Sequence, residues 1–322
     1  MKAAVYYETG PPDVFRYEDV PDPVCGPDRV IVDVEVVSIE GGDTLNRLGG
    51  DMPAKPHVVG YQCAGVISEV GADVTDRKLG DRVVCVDLWG SHAERRSVLA
   101  SATWVVPDAL DLQLAACVPI PVGTADDCLF EFGRLQAGES VLVHAGAGGL
   151  GMAAIQLAKR AGATVLSTAS SDEKLDRLKA LGMDHGINYR ETDFVAAARE
   201  ATGGRGPDLV VDSIGGETLV GSIECAAYRG RIITVGDAGR SAVVPNPGAL
   251  RPQNKSLTGV FLGAELFSNR ERVHPMIQRH IDALAAGELE IIVDRSWPLA
   301  EAAAAHAYIE SRQAFGRVLL IP

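Results

Sequence analysis

Over the first hundred residues, apolar positions recur either with a period of two or in short solid runs. Val30-Ile31-Val32-Asp33-Val34-Glu35-Val36-Val37 starts as an apolar block and then alternates, placing Val32, Val34 and Val36 on one face. Residues 64–71 and 81–86 are apolar runs of strand length bounded by Gly or Asp, and residues 1–7 open the chain in the same way. No strong helical stripe is expected before about residue 110. This stretch therefore predicts a compact, barrel-like β unit.

From about residue 120 to 260 the rhythm changes to short apolar strands alternating with amphipathic helices. Strands are expected at 140–145, 164–169, 209–213, 231–236 and 256–262, and helices at 150–161, 173–181 and 193–202. Strands separated by helices of this length argue for βαβ units and a parallel, doubly wound sheet. Two further helices are expected at 272–286, stopped by Gly287, and at 299–312, followed by a final strand at 317–321.

The sharpest local signal lies where the first of these strands meets its helix. Val141-Leu142-Val143-His144-Ala145-Gly146-Ala147-Gly148-Gly149-Leu150-Gly151 contains G-x-G-x-x-G at Gly146, Gly148 and Gly151. Glycines at those points permit a tight turn, close backbone approach to a pyrophosphate, and close packing of helix on strand. Backbone amides and the positive end of the helix then face the anion. The triplet alone is a weak signal; its place between strand and helix makes it a dinucleotide-binding loop, with Ala147, Gly148, Gly149 and Leu150 as the cofactor-binding stretch. The next strand ends in Ser170-Ser171 with Lys174 following, and no acid stands at the tip to take a ribose 2′-hydroxyl. Hydroxyls plus an ammonium suit a 2′-phosphate, so NADP(H) is expected over NAD(H). Asp172 and Glu173 are read as favouring the first turn of the following helix.

Composition narrows the classes. The chain has 322 residues, enough for two domains, and a formal net charge of −13. With pI near 5.0 and no basic cluster, nucleic acid and acidic membrane surfaces are disfavoured as partners. No apolar run approaches the ~18–20 residues of a membrane span, and the opening residues do not read as a signal peptide. The six cysteines are widely spaced without a C-x-x-C pair, which predicts inert core thiols and a cytoplasmic location.

The whole chain resembles the quinone oxidoreductase (zeta-crystallin-like) branch of the medium-chain dehydrogenase/reductase superfamily. The resemblance is carried by Met1-Lys2-Ala3, Asp43-Thr44-Leu45-Asn46-Arg47, Gly80-Asp81-Arg82-Val83, the glycine loop, Ile187-Asn188-Tyr189-Arg190 and Val211-Asp212-Ser213-Ile214-Gly215-Gly216. It implies an α/β protein with a GroES-like catalytic domain (1–119 and 263–322) and an inserted Rossmann NADP(H)-binding domain (120–262). It implies NADPH-dependent reduction of a quinone or an α,β-unsaturated carbonyl compound, and a homodimer whose exposed sheet edges pair. By family position, Ser170, Lys174 and Tyr189 surround the 2′-phosphate, and Thr124 approaches the nicotinamide carboxamide. Gly236, Phe261 and Leu262 line the nicotinamide, and Arg312 reaches the adenosine end. Without the resemblance, Thr124 reads as a helix cap, Tyr189 as a surface aromatic and Arg312 as a solvated helix-end charge.

Two departures matter. Zinc alcohol dehydrogenases of the superfamily carry Gly-His-Glu and a four-cysteine lobe; this chain has Gly60-Tyr61-Gln62 and no Cys₄ spacing, leaving His57 and His92 as isolated candidates. No metal is expected, and hydride delivery to the β-carbon of a conjugated acceptor fits better than direct carbonyl reduction. Many relatives also place Asn and Tyr where Glu40 and Leu45 stand. Glu40 is a candidate catalytic group: held protonated by burial, acting as general acid/base, or merely pointing into solvent. Asp43 and Arg47 are expected to brace this loop as a local ion pair. Two other readings stay open: a redox-silent NADPH-binding protein, and a specialised enoyl reductase or cyclisation enzyme of secondary metabolism.

Overall fold

The computed structural model describes all 322 residues and divides into two compact units: Met1–Ile120 with Glu265–Pro322, and Pro121–Ala264. In chain order the first unit supplies β1 (Lys2–Tyr6), β2 (Arg16–Asp19), β3 (Arg29–Ser38), α1 (Gly41–Gly49), β4 (His57–Val58) and β5 (Gln62–Val70). It continues with β6 (Arg82–Val86), β7 (Arg95–Leu99), β8 (Thr103–Val105) and α2 (Leu112–Ala115). Helix α3 (Pro119–Asp126) leads into the second unit: β9 (Ser140–Val143), α4 (Gly149–Arg160), β10 (Thr164–Ala169), α5 (Asp172–Lys179) and β11 (His185–Asn188). There follow α6 (Phe194–Ala201), β12 (Leu209–Asp212), α7 (Gly216–Cys225), β13 (Arg231–Thr234), β14 (Ser256–Gly259) and α8 (Leu262–Ser268). The chain then closes the first unit with α9 (Arg270–Ala285), β15 (Val293–Pro298), α10 (Ala302–Glu310) and β16 (Arg317–Ile321).

The first unit is built on β3. Asp33 and Glu35 face outward from it while Val30, Val32, Val34 and Val36 are buried, as alternation demands. Its sheet runs β15-β16-β3-β5-β6-β8, with β7 also paired to β3, and a smaller sheet runs β2-β1-β4. The last strand pairs antiparallel to β3, Leu320 opposite Val37 and Leu319 opposite Ser38, so the end of the chain completes a sheet begun near its start. Val318 and Leu320 enter the core with Ile67, Val83 and Val98, each such side chain contributing about 1.5–3 kcal/mol on burial.

One expectation fails here. Helix α1 stands well before residue 110, where no helix was predicted. Gly41, Gly42 and Gly49 give it poor intrinsic propensity. Tertiary contact decides instead: a Cβ on Gly42 would lie 2.4 Å from the Tyr61 ring, and the Asp43 carboxylate accepts the Glu40 N–H at 2.8 Å.

The second unit carries a six-stranded parallel sheet ordered β11-β10-β9-β12-β13-β14. Numbered within the unit, that is the doubly wound order in which the winding reverses between the first strand and the fourth, here β9 and β12. Val141, Leu142 and Val143 lie between Val165 and Leu166 on one side and Leu209 and Val210 on the other, all buried, which accounts for the solid apolar runs.

Candidate functional site

All six parallel strands present their C-terminal ends to one edge of the sheet, and that edge collects most of the cofactor residues expected from sequence. After β9 the chain turns through Ala145 at φ 52°, a left-handed conformation unusual for a residue with a Cβ. Ala145 N–H donates to Thr168 Oγ1 at 3.2 Å, Gly146 N–H to the Thr168 carbonyl at 2.9 Å, and Gly148 N–H to the Ala145 carbonyl at 3.0 Å. The three glycines are required for different reasons. A Cβ on Gly146 would strike Ser167 Oγ at 2.1 Å, and one on Gly151 would strike the Ala145 carbonyl at 2.4 Å. On Gly148 the nearest atom would be 3.4 Å away, so nothing in the chain itself needs a glycine there. Gly148 is also the N-cap of α4, which no side chain caps. An open glycine beside uncapped helix amides is what a closely approaching pyrophosphate requires.

Ser170 follows β10, and Tyr189 follows β11 with its N–H bonded to the Ala169 carbonyl at 3.2 Å, so the two lie at the tips of adjacent strands. Ser171 is the N-cap of α5, accepting the Lys174 N–H at 3.3 Å. Asp172 and Glu173 sit in that helix's first turn, and Asp172 accepts from Asn188 Nδ2 at 3.1 Å. Gly236 follows β13, and Phe261, 63% exposed, follows β14, with Leu262 buried at the start of α8. Thr124 lies inside α3 and is buried, so it is no helix cap. Arg312 belongs to the first unit, exposed just past α10 at φ 59°.

In the first unit Glu40 is buried, which removes the possibility that it points into solvent. It ends the turn between β3 and α1, and its carboxylate pairs with the Arg317 guanidinium from β16 and accepts from Gln62 Nε2 in β5. Arg317 Nη2 also donates to Ser38 Oγ and to the Ile39 carbonyl, both at 2.7 Å, and Gln62 Oε1 accepts the Ile120 N–H at 3.0 Å. Burial pushes the Glu40 carboxyl up from its ordinary value, and the Arg317 guanidinium and Gln62 amide oppose that shift. Arg317 was not singled out in sequence; its one signal was a charged residue opening an otherwise apolar strand.

Asp43, with no exposure, is pushed up to about 8, mainly by burial and further by the Glu40 charge. Arg47 and Asp43 both brace the segment, each with a partner outside the expected pair: Arg47 on Glu310 and the Gly10 carbonyl, Asp43 on the Glu40 amide. Leu45 sits half-buried in the same helix.

His57 packs edge-on against Tyr6 and Trp89, and His92 Nε2 meets His306 Nε2 at 3.0 Å. Burial brings His92 down to about 3. No group of three or more His, Cys, Asp or Glu side chains is placed to hold a metal ion. All six cysteines are free thiols, with Cys63 and Cys85 facing each other across β5 and β6, Sγ to Sγ 3.3 Å. No helix is long and apolar enough to cross a membrane.

A β unit closed by the last strand of the chain, and an inserted doubly wound sheet with a glycine loop at its reversal point, define a medium-chain dehydrogenase/reductase. Residues 26–108 match the alcohol dehydrogenase GroES-like domain family, and residues 149–280 the zinc-binding dehydrogenase family. A 2-haloacrylate reductase from Burkholderia sp is 36% identical, over 100% of this chain and 99% of the relative. The quinone oxidoreductase of Rattus norvegicus is 30% identical over 100% and 98%. The crystal structure of Escherichia coli quinone oxidoreductase complexed with NADPH superposes with a TM-score of 0.94 at 28% identity, covering 100% of both chains. The chain belongs to the quinone oxidoreductase (zeta-crystallin-like) branch of the medium-chain dehydrogenase/reductase superfamily.

Proposed function

We propose that the protein is an NADPH-dependent, zinc-independent reductase of a quinone or an α,β-unsaturated carbonyl or carboxyl compound. The observation that carries this reading is the open Gly148 beside the uncapped amides of α4, a cradle that a side chain would fill. NADPH would supply the hydride. Gly148, Gly149 and Leu150 would hold its pyrophosphate, and Ser170, Lys174 and Tyr189 its 2′-phosphate. Thr124, Gly236, Phe261 and Leu262 would orient the nicotinamide. Haloacrylates and quinones, named in the relatives, share a C=C polarised by a neighbouring carbonyl or carboxyl group. Hydride at the far carbon of such an acceptor leaves charge on an oxygen that hydrogen-bond donors stabilise, each worth ~10²–10³ in rate. Tyr61 and Gln62 replace the His and Glu donors of the zinc enzymes, which supports chemistry without that metal.

The test is loss of the near-ultraviolet absorbance of NADPH on mixing with a panel of quinones, enones and 2-haloacrylates. Turnover with panel members is expected. Tight NADPH binding without turnover on any of them would refute the reductase reading and favour a redox-silent binding protein. Activity confined to one complex substrate would favour a specialised tailoring enzyme. A part for Glu40 in the reaction would run through its ionisation, so the pH–rate profile of Glu40→Gln should differ from wild type; superimposable profiles would remove it from the mechanism.

A further inference from the structure

Beneath the glycine loop of the second unit lies a buried polar chain that the proposed function does not use. His144, the last residue before the left-handed Ala145, has Nδ1 at 3.1 Å from Thr168 Oγ1 and Nε2 at 3.0 Å from Ser222 Oγ. Ser222 in turn donates to Asp212 Oδ2 at 2.7 Å. All four residues are buried, and the Phe194 ring closes edge-on over the imidazole.

The direction of each proton in this chain follows from valence together with the burial of the imidazole. A carboxylate only accepts, so the single Ser222 proton goes to Asp212. Ser222 Oγ can then only accept from His144, which puts a proton on Nε2. At the other end, Thr168 Oγ1 accepts the Ala145 N–H at 3.2 Å, because a backbone amide can only donate. Burial keeps the ring neutral, so with its one proton on Nε2 the Nδ1 atom is bare and accepts the Thr168 hydroxyl proton. The result is a one-way relay: Ala145 N–H to Thr168, Thr168 to His144, His144 to Ser222, Ser222 to Asp212.

Both ends of the relay are turns that follow the strands between which the sheet order reverses. Asp212 Oδ1 accepts the N–H groups of Ile214 and Gly215 at 2.8 and 2.9 Å, fixing the turn after β12. Thr168 takes two successive amides of the turn after β9, Ala145 on its hydroxyl and Gly146 on its carbonyl. A left-handed Ala costs about 1–2 kcal/mol and persists only where its surroundings over-determine it. Ligands of doubly wound sheets bind outside this reversal point.

We propose that Thr168 and His144 are positioning residues for dinucleotide binding: through a relay with a fixed neutral Nε2–H tautomer they hold the turn after β9, and with it the uncapped amides at the start of α4 that the pyrophosphate would meet. The proposal rests on the cofactor reading above. Its test is NADPH affinity by calorimetry for wild type, Thr168→Val and Thr168→Ser, with ¹⁵N NMR of histidine-labelled protein, the His144 signals being those lost in His144→Gln. Thr168→Val removes one hydroxyl and strands an amide and a ring nitrogen, so Kd should rise about tenfold. The KM for the acceptor should stay unchanged, and Thr168→Ser should restore wild-type affinity. The His144 spectrum should show a neutral ring protonated on Nε2. Unchanged affinity in folded Thr168→Val, equal weakness in Thr168→Ser, or a proton on Nδ1 would each overturn the proposal. A wild type without affinity for any pyridine nucleotide would instead sink the cofactor reading and this role together.

Discussion

Arg317 and Glu40 are both buried, and each is the other's counter-charge, so removing one should cost far more than removing both charges. In Arg317→Met, Glu40 loses its counter-charge while keeping the Gln62 amide, and Ser38 Oγ and the Ile39 carbonyl lose the guanidinium as donor. Truncating one partner of a buried pair costs about 3–5 kcal/mol, a fall in Tm of roughly 6–20 °C at about 2–4 °C per kcal/mol. Adding Glu40→Gln removes the stranded carboxylate and should recover about 2 kcal/mol or more, the remaining loss belonging to Ser38 and Ile39. A pH signature separates this from a packing defect. Without the guanidinium, the Glu40 carboxyl is pushed further up, so the folded single variant holds a proton that its unfolded chain releases above about pH 4.3. Its stability should fall with rising pH beyond the wild-type slope, and the double variant should lose that extra slope. Urea and thermal unfolding of the four proteins across pH measure both effects. A single variant within 1 kcal/mol (roughly) of wild type, or a double variant no better than the single one, would refute the reasoning.

The glycine loop divides into fold and ligand requirements. Gly151→Ala, whose Cβ would sit 2.4 Å from the Ala145 carbonyl, should lower Tm, whereas Gly148→Ala should keep Tm and weaken NADPH binding by calorimetry at least tenfold (about 1.4 kcal/mol). Asp43, pushed up to about 8, keeps in the folded state a proton that the unfolded chain releases; stability should fall as pH rises from about 4 to 8, by up to ~1.4 kcal/mol per unit, with that slope absent in Asp43→Asn. The edge strand β14 is left open in the single chain, and sedimentation should give a dimer, twice the 33.9 kDa chain mass; a monomer would overturn that expectation.

What the sequence disclosed divides along a physical line. Strands 164–169 and 317–321 begin and end where the apolar pattern places them, because a buried strand writes its burial into consecutive residues. The glycine loop is equally local: turn, amides and helix start lie within a dozen residues. Strand β11, His185-Gly186-Ile187-Asn188, carries one apolar residue and left no pattern to read. Helix α7 was missed because Gly216 and Gly221 weaken its propensity; Gly221 is there because a Cβ would meet the Phe194 ring at 2.4 Å. His144 read as part of a strand, since its partners Thr168, Ser222 and Asp212 are dispersed over the next 78 residues.

Glu40 shows the cost of counting charges one at a time. Read alone, a carboxylate in place of a family asparagine opposes negative charge growing on an acceptor oxygen: at about 6 Å and an effective dielectric constant near 20, unit charges repel by roughly 3 kcal/mol. The fold answers with Arg317, drawn from the opposite end of the chain, so the pair carries no net charge and its field falls off as a dipole's does. Gln62 stands where zinc enzymes of the superfamily have the acid of the Gly-His-Glu segment, and its amide donates to Glu40. Arg317 is what makes a buried carboxylate at position 40 tolerable. Electrostatic consequences of Glu40 therefore belong to the Glu40–Arg317–Gln62 cluster, and a substitution at any one of the three tests all of them.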